Sequence, residues 1–319
     1  MLDVEFQDAA AWRGADLAAD AGRFQLPAAA LDEITTMAGK LAASPIPLPA
    51  LKPVHCELPA TTTFMAEVNE TLTTGIGFAL IDRLPLEDIG EAGARVAHWL
   101  LCSMVERPVA QNFKGDLIYD VTDTGRPPGN GVRPDKTNAE QNFHTDNSYN
   151  LCPPNYVALL CIRGAMSGGM SHIVSFKAAH NVLRSDYPDL LQRLYEPFYF
   201  DRQREHAPDD VMTTHHAFFE ADGDDVLARL SKFQVINGQA LAKEPLDDAG
   251  AAALDALEEA MNAPGMDVSF QFQPGQIQIL NNRKIGHRRT GFQDWPGAQK
   301  KRLLVRLWMR DQGRQFYNG

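Results

Sequence analysis

The chain has 319 residues, 44% of them hydrophobic and 22% charged, with a formal net charge of −11. These are globular values, and a chain this long buries enough surface to need no disulfide staples. An acidic chain without a dense Lys/Arg face argues against nucleic acid or an anionic membrane as partner, and no apolar run is long enough to span a bilayer.

The N-terminal stretch "MLDVEFQDAAAWRGADLAAD" has neither a basic nor an apolar leader segment, so the expected location is cytoplasmic. A helix is predicted in "LPAAALDEITTMAGKLAA", followed by an extended connection through Pro45, Pro47, Pro49 and Pro53. "TTTFMAEVNETLTTG" reads as a second helix, with Thr61 or Thr62 as its cap and Gly75 as its stop. "GFALIDRL" reads as a buried strand and "LEDIGEAGARVAHWLLCSMV" as a third helix. Residues 121–141 are polar and rich in Gly, Pro and Asn, which predicts a long surface loop of the kind that covers binding sites. "NYVALLCIRGA" and "SHIVSF" are strand-like, and "AAHNVLRSDYPDLLQRLYE" is helical. "DDAGAAALDALEEAMNAPG" is amphipathic, with Leu254, Leu257 and Met261 on one face. "DVSFQFQPGQIQILNN" gives two strands around Pro274-Gly275, and "KRLLVRLWMR" a last strand. The four cysteines, Cys56, Cys102, Cys152 and Cys161, form no CxxC pair and read as reduced and mostly buried. The whole predicts a mainly β protein with flanking helices, a sandwich or jelly roll. We expect one catalytic domain over 1–319, with a helical region of about 1–110 packed on a core of about 111–319.

Chemistry concentrates in "NFHTDNSYN". Side chains two apart on a strand point the same way, so His144 and Asp146 would share a face. Of the nine histidines, His287 is the best third member, because "PGQIQILNNRKIGH" launches a strand from a tight turn and then presents the imidazole. His215-His216 is the main rival, though only one of two adjacent residues on a strand can serve. Two imidazoles and one carboxylate leave three positions of an ion open, the facial arrangement of non-haem Fe(II) oxygenases. Arg302 and Arg306, four apart, share the face opposite Leu303, Val305 and Leu307, and a guanidinium fork suits a carboxylate.

The order HTD, then "SGGMS", then "PGQIQILNN…H…R…R" resembles the TauD/TfdA family of Fe(II)/2-oxoglutarate-dependent dioxygenases, in the clavaminate-synthase-like group. The likeness covers about half the chain, roughly Gln141 to Arg310. It implies a double-stranded β-helix, a metal held by His144, Asp146 and His287, and Fe(II), 2-oxoglutarate and O2 as reactants. It also implies that Ser171 touches 2-oxoglutarate, that Arg302 pairs with its distal carboxylate, and that Arg306 is a second arginine near cosubstrate or substrate. A carboxylate at position 146 favours hydroxylation over halogenation, with desaturation or ring closure as alternatives. A cupin-like non-redox metalloenzyme is the rival outside this chemistry. The expected partner is a small acid or amino-acid-like substrate, with Tyr149 and Asn150 as candidate contacts and a homo-oligomer left open. Arg126, Arg133 and Lys136 are expected as solvated loop charges.

Overall fold

The structure is a computed structural model that describes residues 1–127 and 132–316; the tip of the expected 121–141 loop lies outside these residues. Seven strands form the main sheet. Their order is Arg23–Gln25, Phe78–Asp82, Ile277–Asn281, Tyr156–Arg163, Leu303–Met309 and Pro108–Val109, with Ile118–Val121 also paired to Leu303–Met309. All these pairings are antiparallel except the first. A second sheet runs Asp267–Phe270, Ser171–Ser175, Ile285–Arg289, Gln141–His144, antiparallel throughout. Strands of each sheet come from distant parts of the chain, the connectivity of a jelly roll.

Period-two alternation decides what each face of the main sheet does. On Tyr156–Arg163, Tyr156, Ala158, Leu160 and Ile162 pack outward with Ile277, Ile279, Leu303, Val305 and Leu307. The helices Ala28–Ala43, Pro59–Thr73 and Leu86–Ser103 cover that layer through Ile34, Leu41, Phe64, Met65, Val68, Leu100 and Leu101. Each such buried aliphatic or aromatic side chain contributes about 1.5–3 kcal/mol. The intervening residues point at the second sheet: Val157, Leu280 and Trp308 meet Ile173 and Ile285, and Leu80, Cys161 and Leu304 meet Phe270 and Phe272. The helices Phe176–Asp186, Pro188–Leu194 and Asp248–Asn262 close the far side of the second sheet, with the expected Leu254, Leu257 and Met261 facing in.

Several local expectations change. The helix expected to start at Thr61 or Thr62 begins at Pro59, and its free N–H groups at Ala60 and Thr61 are taken by the Glu33 carboxylate of the neighbouring helix, both at 2.9 Å. A Pro at the first helical position explains the earlier start. The third helix bends at Gly90, whose φ of 62° only glycine adopts readily. Pro188 divides the predicted helix of 178–196 in two at Tyr187. The region of about 1–110 also supplies three strands to the main sheet, so it is not purely helical. The helix Lys232–Ala242 was not anticipated; its apolar residues face both ways, with Val235 buried but Phe233 and Ile236 exposed. Among the described residues no helix is long and apolar enough to cross a membrane.

Candidate metal centre

The two sheets form a cavity of about 490 Å³, and His144, Asp146 and His287 meet on its wall. His144 ends the strand Gln141–His144, and His287 sits directly opposite it in the middle of the strand Ile285–Arg289. His287 therefore belongs to a strand of its own, beyond the end of Ile277–Asn281 where the sequence reading had placed it. Asp146 lies past the strand, in a turn where Asn147 has φ of 57°. Asn282 shapes this turn from outside: its Oδ1 accepts from Asp146 N at 2.8 Å, and its Nδ2 donates to the carbonyls of Asp146 and Pro154 at 3.0 and 3.1 Å. The shared face of His144 and Asp146 thus comes from a stapled turn and not from strand alternation. The polar run after Asp146 is buried; Ser148 donates to Thr145 and Leu230 carbonyls.

The Nε2 atoms of His144 and His287 lie 3.6 and 3.7 Å from Asp146 Oδ1, and the imidazole centroids are 4.3 Å apart. His144 Nδ1 is turned to the Asn142 carbonyl at 2.8 Å, which leaves Nε2 for the centre. Burial, reinforced by His144, pushes His287 down to about 3, so it is a neutral ligand-competent imidazole. Burial acts to raise Asp146, but Arg306, then the two histidines, hold it well below the ordinary carboxylate range. Trp308 Nε1 donates to Asp146 Oδ2 at 2.7 Å and Arg306 Nη1 lies 3.1 Å from the same oxygen. One carboxylate oxygen is thus fully engaged, while the other faces two imidazole nitrogens. Three lone-pair donors aimed at one point suit a dication.

Arg302, Leu304, Arg306 and Trp308 alternate along one edge of the cavity, as the arginine spacing implied. Arg302 is 3% exposed, stacks at 5.1 Å over the Phe292 ring, and has no carboxylate within ion-pair distance among the described residues. Its Nη1 is buried without a hydrogen-bond partner, and burial pushes it down to about 10. An orphaned guanidinium at the floor of a cavity is fitted to an incoming carboxylate. Gly169, at φ of 72°, makes room for it: a Cβ there would stand 3.3 Å from Arg302 Nε. Ser171 lines the same wall, with its hydroxyl 3.4 Å from Gln278 Oε1. Arg306 differs from Arg302 in being already engaged, with Asp146 and with Gln111 Oε1 at 2.8 Å.

Tyr149 is 2% exposed and lines the cavity; Asn150 does not, because its Oδ1 accepts from Cys152 N and its carbonyl from Arg229. His215 and His216 stand on a separate hairpin, His215 stacked on Tyr199 at 4.3 Å, away from the triad. Arg133 departs from the expectation of a solvated charge: it lines the cavity and pairs with Asp135 and Glu205 at 3.4 and 3.1 Å. Lys136 donates to the Asp120 carbonyl and sits 4.0 Å over the Tyr119 ring, whereas Arg126 is exposed as expected. The sequence reading overlooked Trp308, Gln111, Asn282 and Asp135. Trp308 was within reach, because it continues the two-residue alternation from Arg302 and Arg306.

This fold and site define a non-haem iron, 2-oxoglutarate-dependent oxygenase. Residues 47–308 match the Taurine catabolism dioxygenase TauD, TfdA family, and the chain belongs to it. It is 29% identical to FR-33289 synthase of Streptomyces rubellomurinus over 259 residues, 79% of this chain and 74% of that one. It is 26% identical to uridine-5'-phosphate dioxygenase of an Amycolatopsis species over 239 residues, 72% and 83% of the two chains. Among solved structures, asparagine oxygenase with Fe(II), 2S,3S-3-hydroxyasparagine and succinate has a TM-score of 0.68 at 20% identity, covering 91% of this chain and 94% of that one. The non-haem iron oxygenase OrfP with Fe and alpha-ketoglutaric acid has a TM-score of 0.67 at 15% identity and the same coverage.

Proposed function

We propose that this oxygenase hydroxylates an unactivated C–H bond of a small acid or amino-acid-like molecule, with His144, Asp146 and His287 as the iron ligands. The observation that carries the reading is the convergence of those three donors, all within 4.8 Å of one another, beside Arg302, whose buried Nη1 has no hydrogen-bond partner. A ferrous ion with 2-oxoglutarate and dioxygen supplies the oxidising power, releasing succinate and carbon dioxide. The protein's own groups set the geometry. Arg302 takes the distal carboxylate of 2-oxoglutarate, and the Ser171 hydroxyl lies beside the same path. Arg306 and Trp308 fix Asp146 so that one oxygen alone turns to the metal. Tyr149, Arg133 and Arg306 face the space left for substrate. Amino-acid-like substrates are also what the asparagine oxygenase and OrfP titles name for those proteins.

We read residues 1–319 as one catalytic unit, because strands of the N-terminal region are hydrogen-bonded into the same sheet that carries Arg306. The test is reconstitution without oxygen: Fe(II) and 2-oxoglutarate together should produce a weak visible charge-transfer band. A screen of small acids and amino acids for stimulated succinate release, with the product weighed by mass spectrometry, then identifies the reaction. No band and no substrate-stimulated succinate would refute the reading.

A further inference from the structure

Arg289 lines the cavity together with the metal ligand His287, Ser171 and Arg302. It follows His287 by two residues on the strand Ile285–Arg289, so both side chains leave the same face, with about 6.5 Å of strand between them. Its cross-strand neighbour is Ser171. It also shares an aromatic ring with Arg302: the two guanidinium carbons lie 4.8 and 5.1 Å from the Phe292 ring centre. Arg289 is 7% exposed, yet has no carboxylate within ion-pair distance among the described residues. Its Nη2 donates to the Thr137 carbonyl at 3.2 Å and to the Ala139 carbonyl. Its Nε is buried without a partner, as is Arg302 Nη1. By contrast Arg133 and Arg306, in the same cavity, each pair with carboxylates.

Two guanidinium groups buried around one ring, neither with a counter-ion, are costly twice over: each is desolvated and each repels the other. An anion seated against both removes both costs. A carboxylate is suited to this, because its two oxygens offer about four lone-pair directions, enough for donors from two forks. We infer that Arg289 is a second binding residue for the distal carboxylate of 2-oxoglutarate, sharing it with Arg302. This rests on the oxygenase reading and adds a residue to its cosubstrate seat. The strand spacing from His287 to Arg289 matches the reach of a five-carbon diacid that starts at the metal, and Ser171 flanks that path. The rival role is a clamp on the entrance loop alone, through the Thr137 and Ala139 carbonyls. A clamp is indifferent to whether a 2-oxo acid ends in a carboxylate or a methyl group, whereas a binding residue is not.

The test titrates the full chain, loaded with Fe(II) without oxygen, and follows the charge-transfer band. Two ligands are compared: 2-oxoglutarate, and 2-oxopentanoate, which carries a methyl group in place of the distal carboxylate. Arg289→Gln should narrow the preference for the diacid at least ten-fold, about 1.4 kcal/mol, by weakening 2-oxoglutarate and not 2-oxopentanoate. Arg289→Lys keeps the charge without the fork, and should retain more of the preference than Arg289→Gln. Loss of the loop clamp alone would weaken both ligands together and leave their ratio as it was. That outcome, or a smaller narrowing, overturns the inference. Should neither variant fold, or 2-oxopentanoate bind too weakly to measure, a crystal structure of the unaltered protein with Mn(II) and 2-oxoglutarate decides. An Arg289 nitrogen should then lie within about 3.5 Å of a distal carboxylate oxygen, and a longer separation overturns the inference. Absence of the band with 2-oxoglutarate in the unaltered protein would instead defeat the oxygenase reading, and this inference with it.

Discussion

His144 and His287 face each other as directly opposed residues of two antiparallel strands, with imidazole centroids 4.3 Å apart. The second sheet thus sets two of the three ligand positions by backbone register alone. The third, Asp146, depends on a turn clamped by Asn282.

Asp146→Ala removes the carboxylate that the two imidazoles surround, and should abolish substrate-dependent succinate formation. Arg306 loses the nearer of its two carboxylate partners at the same time, so the variant should also melt earlier. Full turnover in this variant would remove the triad assignment.

Arg302→Ala should raise the 2-oxoglutarate concentration needed for half-maximal rate by roughly 10- to 100-fold, the range for loss of a charge-assisted pair of about 1.5–3 kcal/mol. Steady-state titration of 2-oxoglutarate checks this, and an unchanged requirement contradicts the role.

Trp308→Phe keeps the ring in the sheet interface but loses the N–H held 2.7 Å from Asp146 Oδ2. Groups that orient a metal ligand from behind are worth about 10- to 100-fold in metal affinity. Fe(II) titration without oxygen should show a loss in that range, and the smaller ring leaves a void in the sheet interface, so the melting temperature should fall as well.

Asn282→Ala leaves the Asp146 N–H and the carbonyls of Asp146 and Pro154 without their bonds inside a buried turn. Each unpaired group costs about 1–3 kcal/mol. Both the denaturant midpoint and Fe(II) affinity should fall.

Acid should destabilise the metal-free protein earlier than carboxylates alone would. Burial pushes His98 from 6.5 to about 3. Between those pH values the unfolded chain binds the proton and the folded one does not, so stability is present above 6.5 and is lost as pH falls toward 3. The slope is about 1.4 kcal/mol per pH unit for each such histidine. Urea unfolding from pH 7 to pH 5 should show it, and His98→Gln should flatten it.

The elements around the site were largely legible. The amphipathic helix of Leu254, Leu257 and Met261, the strands flanking Pro274-Gly275 and the Arg302–Arg306 face all follow from local periodicity, which packing then respected. The helix Lys232–Ala242 was not, because a helix with one buried wall and an exposed apolar edge has no clean period. Arg133 was misjudged because a polar loop looks solvated until its partners, Asp135 and Glu205, are known to be near.

The residues by themselves determined the donor types, the shared face of Arg302 and Arg306 and the kind of ion the donors could hold, since side-chain chemistry and two-residue alternation are local properties. Only the folded chain decided that His287 is the cross-strand partner of His144, that Asn282 and Trp308 aim Asp146, and that Asp135 stands beside Arg306. Those relations join segments far apart in sequence, and strand register and buried hydrogen bonds exist only once the two sheets have closed on each other.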